Sequence, residues 1–319
     1  MAQLRYKCCF TMIKILIVGN YNPGHFSPFI VEQMQALRVQ GVSVDTYGIV
    51  GKGLIGYLRN IKGVKEKINA YKPDLIHAHY GLSGLCSNLQ RKVPVVTTYH
   101  GSDIHSGGWV LKFSQLAMRL SAYNIFVSKK MLEMSRYKKP NACVQSCGLD
   151  LNVIQEITRE EARKELGLSS DEKIGLFSGS YDNTIKNYSL AQAAVDQLNN
   201  VLLMELKGYS RREVNLLMNA VDFQLTTSFR ESGPLVVKEA MACGTPVVSV
   251  DVGDVKEVMG NTDGCYIAER NPDDIADKIR MALAFKGKTN GRQRIIDLGL
   301  SNDLVAKKLI EIYNEVLKK

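Results

Sequence analysis

The chain has 319 residues, 45% of them hydrophobic and 23% charged, with a net charge of +9. That apolar share excludes a disordered or collagen-like chain, and the length suits two domains of about 150 residues. No apolar run reaches the roughly 18 residues of a membrane span. The charge is uneven: residues 1–150 hold 19 Lys/Arg against 7 Asp/Glu, whereas residues 151–319 hold 22 against 25. A basic first half faces anions, with nucleic acid, anionic lipid and a phosphorylated substrate as the candidates. The seven cysteines are odd in number and form no CxxC pair, which reads as reduced thiols in a cytoplasmic protein. Met12 directly precedes the first strand, so residues 1–11 read as an extension or a loose tail.

From Met12 the pattern is strand, glycine-containing loop, helix, strand. Ile13–Val18 is a β-branched run too apolar for a sheet edge, as a buried parallel strand requires. The loop Gly19–His25 follows, then a predicted helix over 28–40 closed by Gly41, and a strand over 42–47. A single helix is predicted over 54–71, with Leu54, Leu58, Ile61, Val64 and Ile68 on one stripe. Strands follow over 74–79, 95–100 and 124–127. This alternation predicts a doubly wound α/β domain, in which ligands bind beyond the carboxyl ends of the strands. The loops at 19–25, 79–84 and 100–108 fall there.

The second half repeats the scheme. Strands are predicted over 174–178, 201–206, 223–227 and 247–250, and helices over 189–198, 212–220, 234–243, 273–285 and 302–318. The division falls at 148–157, giving domains 1–150 and 151–319, each a Rossmann-like α/β lobe. Two such lobes facing across a cleft make that cleft the default ligand site.

The most informative stretch runs from Phe229 to Val248. Glu231 and Glu239 are separated by seven residues, one before a helix and one within it. Gly233 permits a sharp turn, and Pro234 suits the first helical position, where its missing N–H costs nothing. The helix start offers backbone N–H groups and partial positive charge to a phosphate or a polar sugar. These residues alone serve equally well as a helix cap beside a solvated glutamate.

The neighbouring motifs favour the site. The segment resembles the E-x7-E motif of the family-4 retaining glycosyltransferases, which have the GT-B fold. Thr98-Tyr-His-Gly-Ser-Asp103 resembles that family's His-Gly-x-Asp element, and Ser146-Cys-Gly-Leu-Asp150 its Asn-Gly-Val-Asp interdomain signature. Gly179 to Lys186-Asn187 resembles the donor-phosphate loop, and Arg163-Lys-Glu-Leu-Gly167 a short helix between the last two. The likeness covers residues 12–285.

The resemblance implies a GT-B enzyme that moves a sugar, with retention, from a nucleotide sugar to a lipid-linked or polysaccharide acceptor in cell-envelope biosynthesis. The first domain would face the acceptor and the second would hold the donor, with the terminal helix a candidate to pack back on the first. Lys186 would neutralise the leaving diphosphate, and Glu231 would bind donor-sugar hydroxyls with the backbone of Gly233, Pro234 and Leu235. Glu239 would hold the ribose, and the backbone near Tyr209 would meet the base. His100 would contact the sugar from the other lobe, with Asp103 supporting its loop. Gly24 would lie near the diphosphate and acceptor. Ser180 and Tyr181 stand where many relatives carry an arginine, which puts more of the phosphate's charge on Lys186. No metal cofactor is implied. A GT-B epimerase or hydrolase, and a non-catalytic sugar-nucleotide-binding subunit, are the alternatives.

Other signals are weaker. His77 and His79 share one strand face at a spacing metals use, but no third ligand accompanies them. His25 and His105 are loop histidines within reach of an acceptor or simply exposed. The basic residues at 52–72 and 129–139 point to peripheral contact with the anionic inner face of the cell membrane or to a solvated surface. Nucleic acid is not expected, because no reader motif accompanies the charge. A nicotinamide-dependent Rossmann enzyme is excluded, since no G-x-G-x-x-G follows the first strand.

Overall fold

The computed structural model describes residues 12–318, so the expectation for residues 1–11, with Cys8 and Cys9, lies outside the described residues. In the first half β1 (Lys14–Asn20) leads through α1 (Pro28–Val39) to β2 (Ser43–Ile49), then α2 (Gly53–Leu58) and α3 (Ile61–Tyr71). β3 (Leu75–His79), α4 (Gly81–Asn88), β4 (Val95–Tyr99), α5 (Ser102–His105) and α6 (Gly108–Leu120) follow. β5 (Tyr123–Phe126), α7 (Lys129–Ser135) and β6 (Ala142–Val144) complete a six-stranded sheet of order β2-β1-β3-β4-β5-β6. β1 pairs in parallel with both neighbours, Ile17 standing opposite Thr46 on one side and His77 on the other. Leu16, Val18, Ile76 and Ala78 are fully buried with Val64 and Ile68 of α3 in one core cluster.

The predicted helix over 54–71 is two helices. Asn60 breaks it: its amide donates to Gly56 O at 2.7 Å and Val50 O at 3.0 Å, competing with the helical ladder. Gly51 and Gly56 also meet so closely that a Cβ on either would lie under 3 Å from the other's backbone. The region 79–84, read as a loop, already enters a helix at Gly81. This glycine- and serine-rich helix lies against Ser114 of α6 and Thr97 of β4, where a Cβ at Gly81 or Gly84 has no room.

The second half opens with α8 (Arg159–Leu166), whose Thr158 and Glu161 form a reciprocal cap. β7 (Lys173–Phe177), α9 (Tyr188–Val195), β8 (Val201–Glu205), α10 (Arg211–Ala220) and β9 (Phe223–Thr226) follow. After these come α11 (Leu235–Ala242), β10 (Val247–Val250), α12 (Val255–Met259), β11 (Cys265–Ala268), α13 (Pro272–Ala284), α14 (Gly291–Asp297) and α15 (Asn302–Leu317). The five-stranded parallel sheet has order β11-β10-β9-β7-β8. Read from β8 this is the order of the first five strands of the first sheet, so both halves share one winding. In each, successive crossovers run in opposite directions from the first strand, and a crevice opens between the first and third strands at their carboxyl ends.

The described residues divide into two compact units. One holds the chain up to Thr98, Gly107–Asn124 and the part of α15 from Ala306; the other holds Tyr99–Ser106 and Ile125–Val305.

Candidate active site

In the second unit the crevice between β7 and β9 fixes the site. The loop after β7 carries Lys186, and the loop after β9 carries Glu231. Parallel pairing of Gly175 with Phe223 and Phe177 with Leu225 brings the two loops side by side. Lys186 ends a one-turn 3-10 helix, Thr184–Lys186, whose cap is the Asn183 side chain. Thr227 Oγ1 donates to the carbonyls of Lys186 and Asn187, both at 3.0 Å, and Phe229 N donates to Ile185 O at 2.9 Å. A Cβ at Gly179 would stand 3.0 Å from Lys186 Cε, so glycine leaves the lysine its channel.

Lys186 Nζ lies 2.7 Å from Glu231 Oε1, which also accepts from Ser228 Oγ at 2.8 Å. Glu231 lines a cavity of about 280 Å³ with His100, Gly101, His105, Arg230 and Gly233, all within the second unit. Asp103 holds the His100 loop: its buried carboxylate accepts from Gly101 N at 2.7 Å and His100 N at 3.2 Å. His100 Nδ1 is 3.7 Å from Cys147 Sγ, whose thiol burial pushes up to about 11. His105 is held below the usual imidazole range by burial and by the charge of Arg230.

Pro234 caps α11 and is not its first helical residue. Its ψ of 114° lies outside the helix, which begins at Leu235. Glu239, buried in α11, pairs with Arg211 Nη1 at 2.6 Å. Sequence reasoning missed this partner, although the Ser210–Glu213 capping box places Arg211 at the start of α10. It missed a second pair too. Lys238, fully buried in α11, binds Asp254 Oδ2 at 2.8 Å, and Ser146 Oγ donates to the same oxygen at 2.8 Å. Asp254 lies directly behind Gly233, where a Cβ would stand 3.2 Å from its carboxylate. A lysine beside Glu239 in the otherwise apolar α11 was the readable signal.

The remaining predicted residues lie apart from the cavity lining. Ser180 turns its hydroxyl to Asp182 and Glu205, and Tyr181 N donates to Glu205 at 3.0 Å, so acidic groups surround this corner. Tyr209 is 38% exposed. Gly24 sits in a turn of the first unit at φ +80°, its N–H donating to Tyr21 O at 2.9 Å. His77 is spent on structure: its ring bonds Tyr313 Oη and Thr98 Oγ1, each at 2.7 Å, and stacks on His79. Among the described residues no three His, Cys, Asp or Glu groups stand close enough to share a metal.

Two switch-point sheets of one winding, with an ammonium–carboxylate pair in the crevice of the second, define a GT-B glycosyltransferase architecture. Residues 27–153 match the family described as Glycosyltransferase Family 4, and residues 176–284 match Glycosyl transferases group 1. The chain therefore carries a domain of each of these two glycosyltransferase families. It is 26% identical over 238 residues to the putative teichuronic acid biosynthesis glycosyltransferase TuaC of Bacillus subtilis (strain 168), covering 65% of this chain and 60% of that protein. The chain thus spans about three-fifths of that relative's length. Sucrose-phosphate synthase from Thermosynechococcus elongatus shares the fold with a TM-score of 0.84 at 17% identity, over 96% of this chain and 99% of that one. Anabaena Alr3699/HepE, solved in complex with UDP-glucose, aligns at a TM-score of 0.72 and 15% identity, over 95% and 100% of the two chains.

Proposed function

We propose that the protein transfers a glycosyl unit from a nucleoside-diphosphate sugar, with retention, to a glycan or lipid-linked acceptor. The observation that carries this reading is the Lys186–Glu231 pair in the crevice of the second sheet, with His100 lining the same cavity as Glu231. As the glycosidic bond breaks, negative charge grows on the departing diphosphate. An ammonium and the first turn of α11 stabilise that charge without proton transfer. Glu231, released from Lys186, accepts hydrogen bonds from sugar hydroxyls, and Gly233, Pro234 and Leu235 offer backbone beside them. Glu239, held by Arg211, takes the ribose. His100, fixed by Asp103, faces the sugar, and Tyr209 and Gly24 complete the donor and acceptor ends.

The UDP-glucose bound to Anabaena Alr3699/HepE makes that nucleotide sugar the first probe, and the name of the Bacillus relative supports a polysaccharide acceptor. The protein works in the cytoplasm, and the basic residues of its first half hold it at the inner membrane face; among the described residues no helix is long and apolar enough to cross a membrane. The test is a thermal-shift screen of UDP-, GDP- and ADP-sugars, in which the true donor raises the melting temperature by linkage. Lys186→Ala abolishes that shift, and EDTA leaves turnover unchanged, since no step calls on a metal. Absence of any shift across the panel would overturn the reading.

A further inference from the structure

The donor reading leaves one charge unaccounted for. Lys186 and Glu231 form an ion pair, so together they bring no net charge to a diphosphate that carries more than one. The corner near Ser180 is acidic, with Asp182 and Glu205 at hand. Several other cations of the second unit are engaged: Arg211 with Glu239, Lys207 with Asp182, Lys238 with Asp254, and Arg270 on the Phe229 carbonyl. Arg230 differs. It lines the same cavity as Glu231, His100 and Gly233, and among the described residues nothing forms an ion pair or hydrogen bond with its guanidinium. His105 lines that cavity as well, and its buried Nε2 has no hydrogen-bond partner.

We infer that Arg230 is the second phosphate-binding cation of this cavity, gripping the donor diphosphate with its guanidinium fork while Lys186 meets the leaving oxygen. The inference rests on the donor reading above and adds the residue that completes its charge balance. A guanidinium can bond two phosphate oxygens at once, which an ammonium cannot do in the same fixed geometry. His105, kept neutral beside it, adds no competing charge and leaves Nε2 for a ligand oxygen or hydroxyl.

The experiment is calorimetric binding of UDP, GDP and ADP, and of the matching nucleosides, to the wild-type protein, Arg230→Gln and Arg230→Lys, with melting temperatures recorded for each. Arg230→Gln is expected to weaken the preferred nucleoside diphosphate by about tenfold while changing nucleoside affinity less than about twofold. Arg230→Lys recovers part of the loss. Wild-type diphosphate affinity in Arg230→Gln overturns the inference, and so does an equal loss for nucleoside and diphosphate, which marks a structural effect. If the wild-type protein binds none of the diphosphates, the donor reading itself falls, a result distinct from either.

Discussion

The two units bury polar groups in opposite ways. In the first, the buried polar cluster holds no carboxylate, lysine or arginine: the His77 ring lies between Tyr313 and Thr98, stacked on His79. In the second, buried polarity is ionic: Lys238 with Asp254, Arg163 with Asp222, Arg211 with Glu239, and Lys186 with Glu231 at the crevice. A neutral network makes a rigid wall, whereas a partly open ion pair can exchange its partner for a charged ligand. The unit built on ion pairs is therefore the one equipped to handle an anion.

The contrast predicts which substitutions act through folding and which through chemistry. Lys238→Met leaves Asp254 charged and buried, and should cost about 3–5 kcal/mol in urea unfolding. Lys238→Met combined with Asp254→Leu should recover most of that. A double variant as unstable as the single one would show that the pair is not the cause. Lys186→Ala and Glu231→Ala should each lower turnover about 10²–10³-fold while the melting temperature stays near wild type. A wild-type rate in either variant removes that residue from the chemistry.

His79 tests the neutral wall by pH. Burial lowers its pKa to about 3, below the unfolded value near 6.5. The folded state thus binds fewer protons, so the contribution is intact above pH 6.5 and is lost as pH falls, by up to about 1.4 kcal/mol per unit. Wild type minus His79→Gln stability, measured between pH 7 and 5, should show that slope; a flat difference contradicts it. The smallest effect on turnover is expected at Arg211→Ala, whose guanidinium is about a third exposed, so that water takes its place beside Glu239. The Michaelis constant for the donor should rise about threefold to tenfold with little change in turnover, and a fall in turnover alone would place Arg211 elsewhere in the reaction.

Much of this was legible from residue pattern. Parallel strands such as Lys14–Asn20 and Val247–Val250 announce themselves as β-branched runs bounded by turns. The helix Gly81–Asn88 did not, because its glycines and serines look like a loop until their close packing on Ser114 and Thr97 is known. The strand Cys265–Ala268 and the helix Gly291–Asp297 were missed as short segments without clear periodicity. At the site, Glu231 and Lys186 were found because motif spacing marks them. Arg211 and the Lys238–Asp254 pair depend on contacts across 28 and 16 positions that no local pattern encodes, save for the odd lysine beside Glu239 in α11, and Arg230 is marked only by the cavity it lines.

The phenol that closes over His77 lies 236 positions further along the chain. The first unit thus cannot finish its interior when its own strands leave the ribosome, because the whole of Ile125–Val305 must be synthesised first. The later-made unit has most of its residues in one continuous segment and is free to fold at once, so order of synthesis and order of completion run opposite ways in this protein.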